Sequence, residues 1–165
     1  MVITYLNRIG WFVGLVLLQV LILNHIHLGG YAIPILYVYL ILKLDTEVSR
    51  NELLLWGFFL GLAVDIFSNT PGMNAAATVF AAFVRPFVLN LFVSKDIPEN
   101  IKPSYLTLGI SAFIKYVIVL VVIHHTTLLC IESFSFFDFP ALLVKISGSS
   151  LLSILCILAI EGIRK

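Results

Sequence analysis

Asp65 stands near the end of the apolar run 53–67, LLLWGFFLGLAVDIF, with Gly61 and Gly57 four and eight residues before it. On a helix the two glycines and the carboxylate therefore share one narrow stripe. A carboxylate within hydrocarbon costs about 2.5–3.5 kcal/mol on insertion scales, so such a group faces protein or water and has a task there. Glycines at this spacing let a second helix approach closely. The next apolar run carries Arg85, and the two after it carry Lys115 and Lys145. Asp65 leans inward and Arg85 outward on helices of opposite direction, which predicts a shared polar network across the turn SNTPGM, direct or through water. Lys115 is expected to meet a carbonyl or a partner subunit, and Lys145, about 9 Å from the outer end of its helix, to reach the surface.

Hydrolytic chemistry finds little support in these residue types. No HExxH or similar metal-ligand spacing occurs, and His25, His27, His124 and His125 all fall near the expected outer ends of apolar runs. Ser147-Gly148-Ser149-Ser150 lacks the surroundings of an activated serine, and one buried carboxylate is not a catalytic dyad. No catalytic, cofactor or metal site is expected, and the chain is read as a non-enzyme.

These residues must be positioned by elements that live in lipid. The chain has 165 residues, 61% of them hydrophobic and 12% charged, with a mean hydropathy of +1.09. A soluble domain has about a quarter of its residues charged. The net charge of +1 gives no reason to expect nucleic acid. Run lengths and turn residues predict an all-α integral membrane protein of one domain, residues 1–165, with six transmembrane helices at 9–24, 31–44, 53–67, 73–93, 104–128 and 139–163. Pro34 is expected in the first turn of the second. The first run lacks a small-x-small cleavage site, which predicts an uncleaved span.

Orientation follows from the cations. Arg8, Lys43, Arg50, Lys95, Lys102, Arg164 and Lys165 fall in the N-terminus, the second and fourth connections and the C-terminus, which predicts that both termini are cytoplasmic. Cys130 and Cys156 then lie near opposite faces, too far apart for a disulfide. Small and polar residues recur at helical spacing on the fourth span (Asn74, Ala77 or Thr78, Ala81, Arg85) and on the sixth (Lys145, Ser149, Ser153, Cys156), as expected of packing faces. The outer segment IESFSFFDFP, with Phe134, Phe136, Phe137 and Phe139, either lies at the interface or is covered by a partner.

Residues 57–86, GFFLGLAVDIFSNTPGMNAAATVFAAFVRP, resemble the signature hairpin of the MreD family of bacterial rod shape-determining membrane proteins. The matching positions are Gly57, Gly61, Asp65 and Gly72. The resemblance implies a non-enzymatic scaffold of cell-wall elongation in the inner membrane, similar in architecture to the six-helix substrate-binding subunits of energy-coupling-factor transporters. It implies direct binding to MreC and, through the complex, links to MreB, to RodA and to its transpeptidase. Asp65, Asn74 and the phenylalanines at 134, 136, 137 and 139 are then the expected docking residues. The alternative is a subunit that binds or translocates a small solute, with Asp65, Asn74, Arg85 and Lys115 lining a polar cavity.

Overall fold

The structure, a computed structural model, describes residues 2–27, 32–93, 100–133 and 138–163. Seven helices occur among them: α1 (Val2–Leu21), α2 (Tyr39–Lys43), α3 (Arg50–Ser68), α4 (Met73–Phe92), α5 (Tyr105–Leu108), α6 (Ile110–Glu132) and α7 (Phe139–Ile163), with a 3-10 turn at Leu23–His25. Among the described residues five stretches are long and apolar enough to cross a membrane: α1 with its 3-10 turn, α3, α4, α6 and α7.

The expected second helix is the main departure. Only Tyr39–Lys43 is helical; 33–36 runs non-helical through the middle of the bundle and 37–38 turns the chain into the helix. Ile35 to Leu42 and Leu44 are all buried, so this segment is the core around which the long helices assemble. Pro34 contributes by removing one backbone donor and restricting Ile33 to extended conformations. Non-helical backbone at membrane depth persists only when protein groups satisfy it, and here they do. The N–H of Ile33 donates to Ser149 Oγ at 3.1 Å, that of Ile35 to Ser153 Oγ at 2.8 Å, and that of Leu36 to Gln19 Oε1 at 2.7 Å, while Gln19 Nε2 donates to the Pro34 carbonyl at 3.1 Å. Gly148 lets the segment lie close on α7, because a Cβ there would stand 3.1 Å from the Ala32 Cβ.

Ion pairs mark one end of the bundle. Arg8 bonds Asp45 at 2.6 Å and Glu52 at 2.9 Å, and Lys43 bonds Glu161 at 2.8 Å, so the beginning of α1 and the end of α7 lie together. At the opposite end Asn24 Nδ2 donates to Ser68 Oγ at 2.8 Å beside the α3–α4 turn. The segment 32–44 thus runs the length of the bundle, antiparallel to α1.

The expected fifth span, 104–128, divides at Gly109, whose φ of +81° suits glycine alone. The helix after the break continues to Glu132, beyond the expected limit. Two readings change as a result. Lys115 lies only five residues into α6, about 7.5 Å, and its side chain is exposed, so it is not part of a buried network. His124 and His125 lie inside α6 and are fully buried rather than near the surface.

Candidate functional site

The α3–α4 hairpin is built by the residues that stood out in the sequence. Ser49 caps α3 by accepting from the Glu52 N–H at 3.3 Å. The helix ends at Asn69, whose φ of 54° is left-handed, and Gly72, at φ +80°, turns the chain into α4. Gly57 and Gly61 both face α4. A Cβ on Gly57 would lie 3.1 Å from the Thr78 carbonyl oxygen, and one on Gly61 would overlap the backbone of Asn74 and Ala75. The stripe is therefore filled from within the chain.

Asp65 lies one turn before the end of α3, beside the free amides that open α4. Its Oδ1 accepts from Asn74 N–H at 3.0 Å, Asn74 Nδ2 at 2.9 Å and Thr70 Oγ1 at 2.8 Å, and its Oδ2 accepts from Ala75 N–H at 2.9 Å. A carboxylate at a helix N-terminus satisfies donors that have no partner within the helix and lies at the positive end of the helix dipole. Only 3% of Asp65 is exposed.

The expected network of Asp65 with Arg85 does not form. Arg85 lies twelve residues into α4, about 18 Å from its start, whereas the α4 amides are immediately beside Asp65. The Arg85 guanidinium instead donates to the Leu44 carbonyl and, from Nε, to Tyr116 Oη at 3.1 Å, while the Tyr116 hydroxyl donates to the Leu42 carbonyl at 3.1 Å. These carbonyls belong to the C-terminal end of α2, where a cation is favoured. Arg85→Met and Tyr116→Phe should therefore couple by about 0.5–3 kcal/mol in a double-mutant cycle, whereas Asp65→Ala and Arg85→Met should add within about 0.5 kcal/mol. Stability measured in detergent checks both, and strong coupling of 65 with 85 would contradict the observed partners.

Asn74 extends the hairpin into the core. Its Nδ2 hydrogens go to Asp65 and to Thr70 Oγ1 at 2.9 Å, so Oδ1 accepts the Tyr37 hydroxyl at 2.8 Å. With that proton committed, the Tyr37 oxygen accepts from His124 Nε2 at 3.1 Å. His125 bonds the Val121 carbonyl at 2.8 Å and Ser153 Oγ at 2.9 Å. One polar chain thus joins α3, α4, the segment before α2 and α6. Tyr37, Gln19 and the two histidines escaped the sequence reading. A lone Gln within an apolar run was the available signal for Gln19, since polar groups there make interhelical bonds. Nothing local pairs Tyr37 with Asn74.

This chain borders a cavity of about 480 Å³ at the hairpin end, lined by Gln19, Asn24, Tyr37, Thr70, Asn74 and Ser149 among others. Lys145 and Glu132 contribute its charges. Of the four residues expected to line one polar cavity, only Asn74 does so. Asp65 is enclosed by its own partners, which removes it as a docking residue, whereas Phe139 is 57% exposed. Phe134, Phe136 and Phe137 lie outside the described residues. Asp138 accepts from the Ala141 N–H at 3.3 Å at the start of α7. Cys130 and Cys156 are free. Among the described residues no cluster of three His, Cys, Asp or Glu forms a metal-sized site.

Comparison of the chain with protein-family models, with curated proteins and with solved structures found no match.

Proposed function

We propose that the chain is a non-catalytic scaffold of bacterial cell-wall elongation, of the MreD type, that binds MreC and through it serves MreB, RodA and the transpeptidase of RodA. The observation that carries this reading is the hairpin, in which Gly57, Gly61, Asp65 and Gly72 each have a defined structural duty and together position Thr70, Met73 and Asn74 in the wall of the recess. A wall whose polar groups are already bonded to one another offers shape to a protein partner at little reorganisation cost. In this reading the protein lies in the cytoplasmic membrane and crosses it six times, five times as long helices and once as the segment 32–44. Arg8, Lys43, Arg50 and Lys102 at the ion-paired end support, by the positive-inside rule, an orientation with that end inside the cell and the recess toward the periplasm. A cysteine introduced at Asn69 should then react with an impermeant reagent in intact cells and one at Arg50 should not; the reverse pattern would overturn the topology.

The partner is expected at Thr70, Lys145 and Phe139, since the side chain of Asn74, like that of Asp65, is buried among its own partners. Site-specific crosslinkers at Thr70 and Lys145 should capture MreC in cells, and depletion of the protein should round them. Cells that keep their shape, with no such adduct, would refute the scaffold. A solute-binding subunit is the second reading, favoured by the volume and hydrogen-bonding lining of the recess, which match those of small-ligand sites. Uptake of a small solute by the purified, reconstituted protein without a partner would select it.

A further inference from the structure

At the ion-paired end a second cavity, of about 290 Å³, opens between α1 and the segment 39–45. Arg8, Lys43 and Lys102 line it with Asp45, and Glu52 and Glu161, which pair with Arg8 and Lys43, lie just outside its lining. Trp11 and Tyr39 stand edge to face in its wall, with ring centroids 6.0 Å apart. Beside the cavity lies an open apolar groove of about 640 Å³ along α1, bordered by Gly10, Gly14, Leu15 and Leu18 with Ile160 of α7. Asn7 and Trp11 line both, so a polar cavity and an apolar groove adjoin at these two side chains and are read together as one cleft.

The glycines of this groove differ from those of the hairpin. A Cβ on Gly10 or Gly14 would meet nothing within 4 Å, so no described residue of this chain fills the space they leave. The apolar stretch from Arg8 to Leu18 rises about 15 Å, the hydrocarbon depth of one leaflet. A transmembrane helix would need a groove across the full thickness; an acyl chain needs half. At the polar end Arg8 bonds Asp45 and Glu52 through two of its five N–H groups, and Lys102, 63% exposed, is 3.7 Å from Asp45. Both cations retain donors for an anion, and basic pockets between transmembrane helices bind lipid headgroups.

We propose that this cleft holds one glycerophospholipid, with its phosphate against Arg8 and Lys102 and an acyl chain along Gly10 and Gly14. A bound lipid would seal the lateral gap between α1 and α7 over the core segment. This assignment rests on the cleft alone and stands whether the protein is a scaffold or a solute-binding subunit.

The full chain, extracted in mild detergent, should retain one phospholipid per molecule in native mass spectrometry and rebind phosphatidylglycerol after delipidation. Lys102→Gln removes one cation near the phosphate, worth about 1 kcal/mol, so rebinding should weaken about fivefold. A Gly10→Leu, Gly14→Leu chain fills open space, so it should melt like the wild type yet lose the lipid. If the leucines disturb α1, Lys102→Gln on its exposed side chain still decides the matter. Unchanged lipid retention in both variants would overturn the proposal. So would displacement of the lipid by inorganic phosphate alone, which would indicate a simple anion site. Loss of a co-purifying membrane protein from the leucine variant, with lipid retained, would assign the groove to a partner helix.

Discussion

Gly61→Leu should prevent the α3–α4 hairpin from closing and leave little folded protein. A Cβ at this position would stand 2.5 Å from the Asn74 carbonyl oxygen and 2.6 Å from the Ala75 nitrogen, with the Ala75 Cα closer still. All three are backbone atoms of the α4 N-terminus, so no side-chain rotation relieves the overlap. The helix must move, and Asp65 then loses the amides it caps. Overpacking of a core costs about 1–3 kcal/mol when side chains can adjust. Separation of two backbones should exceed that and approach the whole stability of about 5–15 kcal/mol typical of a domain. Gly57→Ala should cost less, because its tightest neighbours stand at 3.1 Å and one of them is the Ala82 methyl. Thermal melting and gel filtration in detergent, with the Gly10→Leu chain as a control in open space, order the three variants. A Gly61→Leu chain that melts like the wild type would refute the observed packing.

Asp65→Ala should be the most damaging polar substitution in the hairpin. It strands the buried amides of Asn74 and Ala75 and removes an acceptor from Asn74 Nδ2 and Thr70 Oγ1. Each buried donor left unsatisfied costs about 1–3 kcal/mol, so a loss of about 3–5 kcal/mol is expected. Asp65→Asn keeps one acceptor oxygen and should fall between the two. The damage should be local first, with amide hydrogen exchange at Asn74 and Ala75 accelerating before that of α6. Because Asn74 also accepts from Tyr37, freeing it should loosen the contact of Tyr37 with His124. Exchange at the start of α4 that matches the wild type would show that the carboxylate is not the cap. A scaffold role predicts that cells carrying a folded Asp65→Asn protein keep their shape, since Asp65 holds the wall of the recess without touching the partner.

Much of this protein is legible in its sequence because lipid imposes a simple rule: a long apolar run must satisfy its own backbone, and a helix does so. Both ends of α4 and α7 and the C-terminal end of α3 fall within one residue of where that rule puts them, whereas α3 starts at Arg50, three residues before the expected limit, because Ser49 caps it there. The close approach at Gly57 and Gly61 follows from their spacing alone, as does the need for a partner at Asp65. The identity of that partner was a tertiary matter. Opposite charge suggested Arg85, but the free amides at the start of α4 are nearer, and helix rise places Arg85 about 18 Å farther along. The segment 32–38 marks the limit most clearly. Its apolar composition reads as part of a sixth helix, yet 33–36 is non-helical, because its backbone donors are taken by Gln19 on α1 and by Ser149 and Ser153 on α7. Those acceptors are more than a hundred residues away on α7, and no local pattern links them to the amides they satisfy. Hydropathy fixes which residues leave water, but the partners of the buried backbone are fixed only when all the long helices have assembled around it.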